Sequence, residues 1–227
     1  MADNQFGNGG IDGCVFQLVA DTEACLQIKR EVVAEHRDEH VGRQELNEPA
    51  ERTVTGFIAE RLRWEWPSRF NETDLAEQSF EDLAMRVPED LAITCVQVDD
   101  RGAAASDWLA AVHVCAPSGW RPREKLGQSF AQVHRTVQIP STRRFLMEDG
   151  KVKDYVGQMM RCIQPHVRFI WTIQRGDARN RNPRCPPSNS ANRELHFRVE
   201  RQTITGFPEV AASLFTIRTY LYPLEQV

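Results

Sequence analysis

The sequence predicts an α+β fold: a five-stranded antiparallel sheet with helices on one face, preceded by an N-terminal helical extension. Three observations carry this. Apolar residues recur every three or four positions up to about position 64, they switch to alternation past Pro88, and the alternating segments come as two, then a helical insertion, then three.

Taken in order, 21–44 contains no proline and no glycine before Gly42. Leu26, Val33 and Val41 recur there among Lys29, Arg30, Glu31, Arg37, Asp38 and Glu39, the pattern of a mostly polar surface helix that Asp21 or Thr22 caps. A second helix is predicted over 48–64, with Pro49 suited to its first turn and Val54, Phe57, Ile58, Arg61 and Leu62 forming a stripe. It stops before Trp66-Pro67, because the residue preceding proline is pushed out of the helical region. Strands follow over 91–98 and 108–115, and Asp99-Asp100-Arg101-Gly102 between them supplies hairpin chemistry. The interval 116–164 holds Pro117, Gly119, Pro122 and two helical stretches, and strands resume over 166–174, 194–202 and 213–221. Short connections imply antiparallel neighbours, and a long helical insertion must cross one face of the sheet. That order is PAS-like in topology, with residues 1–86 as the extension and 87–227 as the sheet domain. The interruption at 176–193, rich in Asn, Arg, Pro and Ser, reads as a lid or as disorder.

Composition narrows the function classes. The 227 residues carry 28 Lys and Arg against 32 Asp and Glu, a net charge of −4, with no basic block, which argues against nucleic-acid and anionic-membrane partners. The longest apolar run, about 109–116, is far short of the roughly twenty residues that span a bilayer. The start, Met1-Ala2-Asp3-Asn4-Gln5, has no secretory pattern, so a cytoplasmic location is expected. Six cysteines without any CxxC pair read as reduced, with Cys95 and Cys115 as small core residues.

One constellation points to chemistry. Over 123–137, Leu126, Phe130, Val133 and Val137 form a stripe, and His134 lies four residues after Phe130, on the same inward face. An imidazole so placed is either a satisfied core histidine or a metal ligand. No second ligand stands at helical spacing, so of the metal sites a haem, which needs one such imidazole and an apolar slot, is the simplest. In the alternating segment 194–203, Arg201 falls with Leu195, Phe197 and Val199, and a buried arginine needs an anion. A structural pair with Glu89, Asp90 or Glu124 and an acidic ligand group both satisfy it. His196, Arg198 and Glu200 take the other face and read as solvated. Lys125 precedes the stripe, and Arg218 and Tyr220 alternate on the last strand. No GxGxxG, GxxxxGK[ST], GxSxG or HExxH motif is present.

These residues carry a resemblance. Val87-Pro88-Glu89-Asp90-Leu91, Ala116-Pro117-Ser118-Gly119-Trp120-Arg121-Pro122, Glu124-Lys125-Leu126-Gly127, Val133-His134, Arg198-Val199-Glu200-Arg201-Gln202-Thr203 and Phe215-Thr216-Ile217-Arg218-Thr219-Tyr220 resemble blocks of the DUF3445 family. Its characterised member is the catalytic (alpha) subunit of a haem-dependent oxidative N-demethylase. The resemblance implies haem b, a small secondary amine such as dimethylamine, dioxygen, release of formaldehyde, and electrons from flavin and iron–sulfur partner subunits. It implies His134 as the axial iron ligand; the inward stripe and these blocks together make Lys125, Arg201 and Arg218 the candidate partners of the haem carboxylates, and Glu200 and Trp171 the candidate catalytic pocket residues. Two departures stand out. The Pro-Val-Pro-like segment that follows the family's histidine is here Arg135-Thr136-Val137-Gln138-Ile139-Pro140, and Ile170 replaces the asparagine of Arg-x-Asn-Trp. With these departures, a non-catalytic haem or small-molecule binding module is the alternative expectation.

Overall fold

The computed structural model describes residues 14–71, 73, 75, 77–100, 104–136, 163–185 and 194–226, the side chains of 104 and 134–136 excepted. Helix α1 (Thr22–His40) gives way at once to a three-residue strand, β1 (Val41–Arg43), so the helix expected to reach position 44 stops four residues early. His36 already leaves helical geometry at φ −140°. Helix α2 (Glu48–Glu65) begins as expected: the Asn47 side chain accepts from the Ala50 N–H, and Pro49 occupies the first turn. It buries Ala50, Val54, Ile58 and Leu62. A short helix that the periodicity does not reveal, α3 (Phe80–Ala84), starts from a reciprocal cap between Ser79 and Asp82.

Among the described residues, the strands β2 (Asp90–Val98), β3 (Ala104–His113), β4 (His166–Arg175), β5 (Leu195–Phe207) and β6 (Ala212–Pro223) join β1 in one sheet of order β1-β3-β2-β6-β5-β4. Every pairing is antiparallel. The expected count of five is therefore corrected to six, because Val41–Arg43 pairs with Ala111 to His113 where a helix was expected. β5 runs five residues past its expected end: Thr203 to Phe207 continue the ladder with β6 until Pro208, which has no N–H to donate.

Alternation sorts the side chains onto two faces. On the first face, Leu91, Ile93, Cys95, Leu214, Ala212 and Phe207 form a core with Val54, Ile58 and Leu62 of α2, Phe80 and Leu83 of α3, and Val15 and Phe16. Residues from both sides of position 87 thus share one core. On the second face, Ala92, Leu109 and Val112 pack with Trp120, Leu126, Val133 and Phe215. The sheet is covered from both sides, not by helices on one face alone.

Buried charges fasten the helical layer. Lys29, expected on a surface helix, is 2% exposed and its Nζ donates to the carbonyls of Ala84, Val87 and Glu89 at 2.8, 3.0 and 2.5 Å. The Glu65 carboxylate accepts from the N–H groups of Val15 and Phe16. Asp90 accepts from the N–H groups of Cys115 and Ala116 at 2.7 and 2.9 Å, and burial pushes its carboxyl above the usual range. Cys25, Cys95, Cys115 and Cys185 are free thiols, and Cys162 lies outside the described residues. Cys95 is a core residue, its thiol pushed up to about 11 by burial. No described helix is long and apolar enough to cross a membrane.

Candidate functional site

The second face carries a continuous polar row. Along β5, His196, Arg198, Glu200, Gln202 and Ile204 point to that face, and register sets them beside Gln174, Thr172, Ile170, Arg168 and His166 of β4. Arg198 Nε donates to Glu200 Oε1 at 3.0 Å, and Gln202 Nε2 donates to Glu200 Oε2 at 3.0 Å. Arg168 Nε in turn donates to Gln202 Oε1 at 2.6 Å, with its guanidinium 5.7 Å from the centre of the Phe215 ring. Arg198 is 1% exposed, and its remaining nitrogens donate to the carbonyls of Arg179 and Ala116 and to Thr219 Oγ1. Both oxygens of Glu200 are therefore oriented by neighbours that are themselves held, the condition for a carboxylate that must keep one position.

Helix α4 (Phe130–Thr136) lies over the same face. Gly127, at φ +73°, ends the 3-10 turn Arg123–Lys125 and lets the chain double back. Gly127 N–H donates to the Leu109 carbonyl, and Leu109 N–H donates to the Gln128 carbonyl, both at 2.9 Å. These bonds fall where β3 bulges against β2, so the extra residue of the bulge frees Leu109 to grip the turn. Ser129 and Gln132 cap the helix reciprocally, and Asp107 accepts from the Phe130 N–H at 2.5 Å. Burial pushes the Asp107 carboxyl up, while the Phe130 N–H opposes that shift. Phe130 packs against Val96, and Val133 against the Ala92 cluster. Position 134 stands on this helix one turn after Phe130, and its side chain lies outside the described residues.

The remaining predicted residues divide between the faces. Lys125 is buried on the α4 side, where burial lowers its pKa. Trp171, Arg201 and Arg218 take the first face, because odd positions of β4 and β5 and even positions of β6 share it through the register Trp171↔Val199 and Arg201↔Arg218. Trp171 and Glu200 thus stand on opposite sides of the sheet. Arg201 donates to the carbonyls of Val15 and Cys14 at 3.1 and 2.6 Å, and Arg218 to Asp21 Oδ1 at 2.5 Å and Cys25 Sγ at 2.9 Å. These two cations fasten the amino-terminal segment. Arg168, Arg198 and Gln202 were not singled out from sequence as a unit. Their signal was the i, i+2 spacing of Arg198, Glu200 and Gln202 on one strand.

Arg123 Nη1 reaches across Gly42 to the Val41 carbonyl at 3.1 Å, and any side chain at 42 would collide with that guanidinium and with Leu126. The first part of the 176–193 interruption is anchored: Asn182 Nδ2 lies 3.3 Å from His40 Nε2, and Arg181 N–H donates to the Pro117 carbonyl. His40 Nδ1 meets the Val114 carbonyl at 2.7 Å, and burial lowers its pKa. Residues 186–193 lie outside the described part. Among the described residues, no three His, Cys, Asp or Glu side chains come together as a metal-ion site.

No curated protein matches the chain. One family model does, over residues 16–227, and its description names an oxidative enzyme family and an alpha subunit. With nearly the whole chain matched, this protein belongs to the family of haem-dependent oxidative N-demethylase, alpha subunit-like proteins.

Proposed function

We propose that this chain is the haem-binding subunit of an oxidative N-demethylase that uses dioxygen to remove a methyl group from a small secondary amine as formaldehyde. The observation that supports it most is the seating of α4. The helix bearing position 134 is pinned by Asp107, Leu109 and Ser129 to the same face that presents the Arg198–Glu200–Gln202–Arg168 row.

A haem asks for one imidazole, an apolar slot, and cations for its carboxylates. Phe130, Val133 and Phe215 supply apolar walls on this face, Arg168 and Lys125 supply cations, and His134 is the imidazole on α4. This donor set fits haem b. Bound there, the haem supplies oxygen activation, which no side chain can.

The chain's own residues have separate tasks in this reading. Glu200, held by Arg198 and Gln202, accepts an N–H of the protonated amine and fixes its orientation. Ile170, directly across the ladder from Glu200, meets the alkyl groups. Trp171, Arg201 and Arg218 stand on the opposite face, where Arg201 and Arg218 act as framework. Flavin and iron–sulfur subunits deliver electrons, the cytoplasm is the place of action, and strands β2 to β6 form a PAS-like domain within residues 87–227 that the 1–86 extension buttresses.

An apolar Ile170 facing Glu200 also favours a second reading, a non-catalytic module that binds haem or another small molecule. One experiment separates them. Hemin titration should give a Soret shift that His134→Ala weakens at least tenfold, and the loaded protein with a chemical reductant, oxygen and dimethylamine should release formaldehyde. Haem uptake without formaldehyde selects the binding module; no Soret shift overturns the demethylase and leaves only a module for a small molecule other than haem.

A further inference from the structure

The two edges of the sheet are finished differently. At one edge, β3 is covered by the chain itself: β1 pairs with Ala111 to His113, and Gly127 and Gln128 bond to Leu109. At the other edge, among the described residues, β4 pairs with β5 and no further strand pairs with its stretch 169–173.

Of the devices that blunt an edge, β4 carries charges only toward its two ends, Arg168 and Arg175. Its ten residues contain no proline and no glycine, and its register with β5 runs unbroken from His166↔Ile204 to Arg175↔Leu195. Its first-face side chains are apolar and open: Trp171 is 64% exposed, Ile173 54% and Phe169 48%. The stripe continues inward, with the Trp171 and Phe197 rings 5.4 Å apart. A long, flat, apolar edge is a template for pairing with another strand.

We propose that two copies of this chain pair edge to edge through β4, antiparallel about a twofold axis at Trp171, joining two six-stranded sheets into one. The sequence of β4 is self-complementary in that register. Phe169 meets the partner's Ile173, Trp171 meets the partner's Trp171, and Ile170 meets the partner's Thr172. Arg168 falls opposite the partner's Gln174 and Arg175 opposite the partner's Val167, so no like charges face each other. Aromatic and β-branched cross-strand pairs of this kind stabilise an antiparallel ladder. With large side chains of roughly 200 Å² each, the open areas of Phe169, Trp171 and Ile173 supply roughly 350 Å² per copy. The paired backbone and flanking side chains bring this toward the ~600 Å² per partner at the low end of specific interfaces. The isologous twofold contact closes on itself and so ends at a dimer.

Light scattering and sedimentation of the full chain test this. The wild type should run at twice the 26.0 kDa chain mass at high micromolar concentration. Trp171→Lys, which sets two lysines face to face at the axis, should raise the dimer dissociation constant at least tenfold while leaving the circular dichroism, and the melting temperature measured at dilutions where both proteins are monomeric, unchanged. Trp171→Cys should form a self-disulfide dimer under mild oxidant, beyond any seen for the wild type, and Arg175→Cys should not. A monomeric wild type overturns the proposal, whether a different subunit or the chain's own segments cover the edge. A dimer indifferent to Trp171→Lys overturns it as well.

Discussion

Arg201 and Arg198 stand three residues apart on one strand, both almost fully buried, and have opposite roles. On the first face Arg201 ends on the carbonyls of Cys14 and Val15, as Lys29 nearby ends on three carbonyls and Arg218 on Asp21. On the second face Arg198 orients Glu200, which Gln202 and then Arg168 extend into a row of side chains. A buried cation on backbone carbonyls fastens one segment to another. A buried cation that holds a partly accessible carboxylate, in the proposed function, sets that carboxylate for the amine. The difference turns on parity in the strand, not on residue type.

If the first face is framework, breaking it should cost stability and spare haem uptake. Lys29→Met strands three carbonyls in the core and should lower stability by about 3–5 kcal/mol, read by chemical denaturation. The second face should behave inversely. Glu200→Gln should leave the Soret shift nearly unchanged while lowering formaldehyde release by about 100-fold, a loss typical of a positioned polar group and larger than the fall in denaturation midpoint expected from taking the carboxylate away from buried Arg198. A smaller change is expected for Arg201→Met, about 2 kcal/mol, accompanied by faster amide exchange in residues 14–18 but not in α4.

Smallest is a pH effect that belongs to the framework side. His113 is fully buried, and burial, followed by the charge of Lys29, holds its pKa well below the ordinary 6.5. The unfolded chain takes up a proton near 6.5 that the folded chain refuses. This contribution is therefore complete above 6.5 and is lost as pH falls through the lower folded value. Stability should fall by about 1 kcal/mol per pH unit on that side, and His113→Gln should flatten the slope. His40, shifted in the same direction, adds to the same slope.

How much of this was legible in the sequence depended on how far a pattern repeats. α2 and the five long strands repeat their period often enough to be placed within a few residues, apart from the late end of β5 and the early start of β3. β1 is three residues long and α3 five, too short for any period to register. Alternation put Arg201 correctly with Leu195 and Phe197 and put Glu200 on the other side. It says which side chains share a face, not what covers that face, so Arg198, read as solvated, is buried under Ala116 and Arg179. For the same reason Lys29 could not be known to enter the core: its three acceptors lie 55 to 60 residues further on. The helix carrying His134 was visible, but its division into a 3-10 turn and a separate helix came from Gly127 and the β3 bulge, a contact between distant segments.

Gly42 draws these parts together. Because it has no side chain, the guanidinium of Arg123 can lie across it to reach Val41, and the turn that leads into α4 rests directly on the strand that follows α1. Helix α1 and strand β1 are thereby a jig for helix α4. Grafting a different leader onto the sheet, or trimming this one, would detune the distance between that helix and the carboxylate on β5 even with every residue of both left in place.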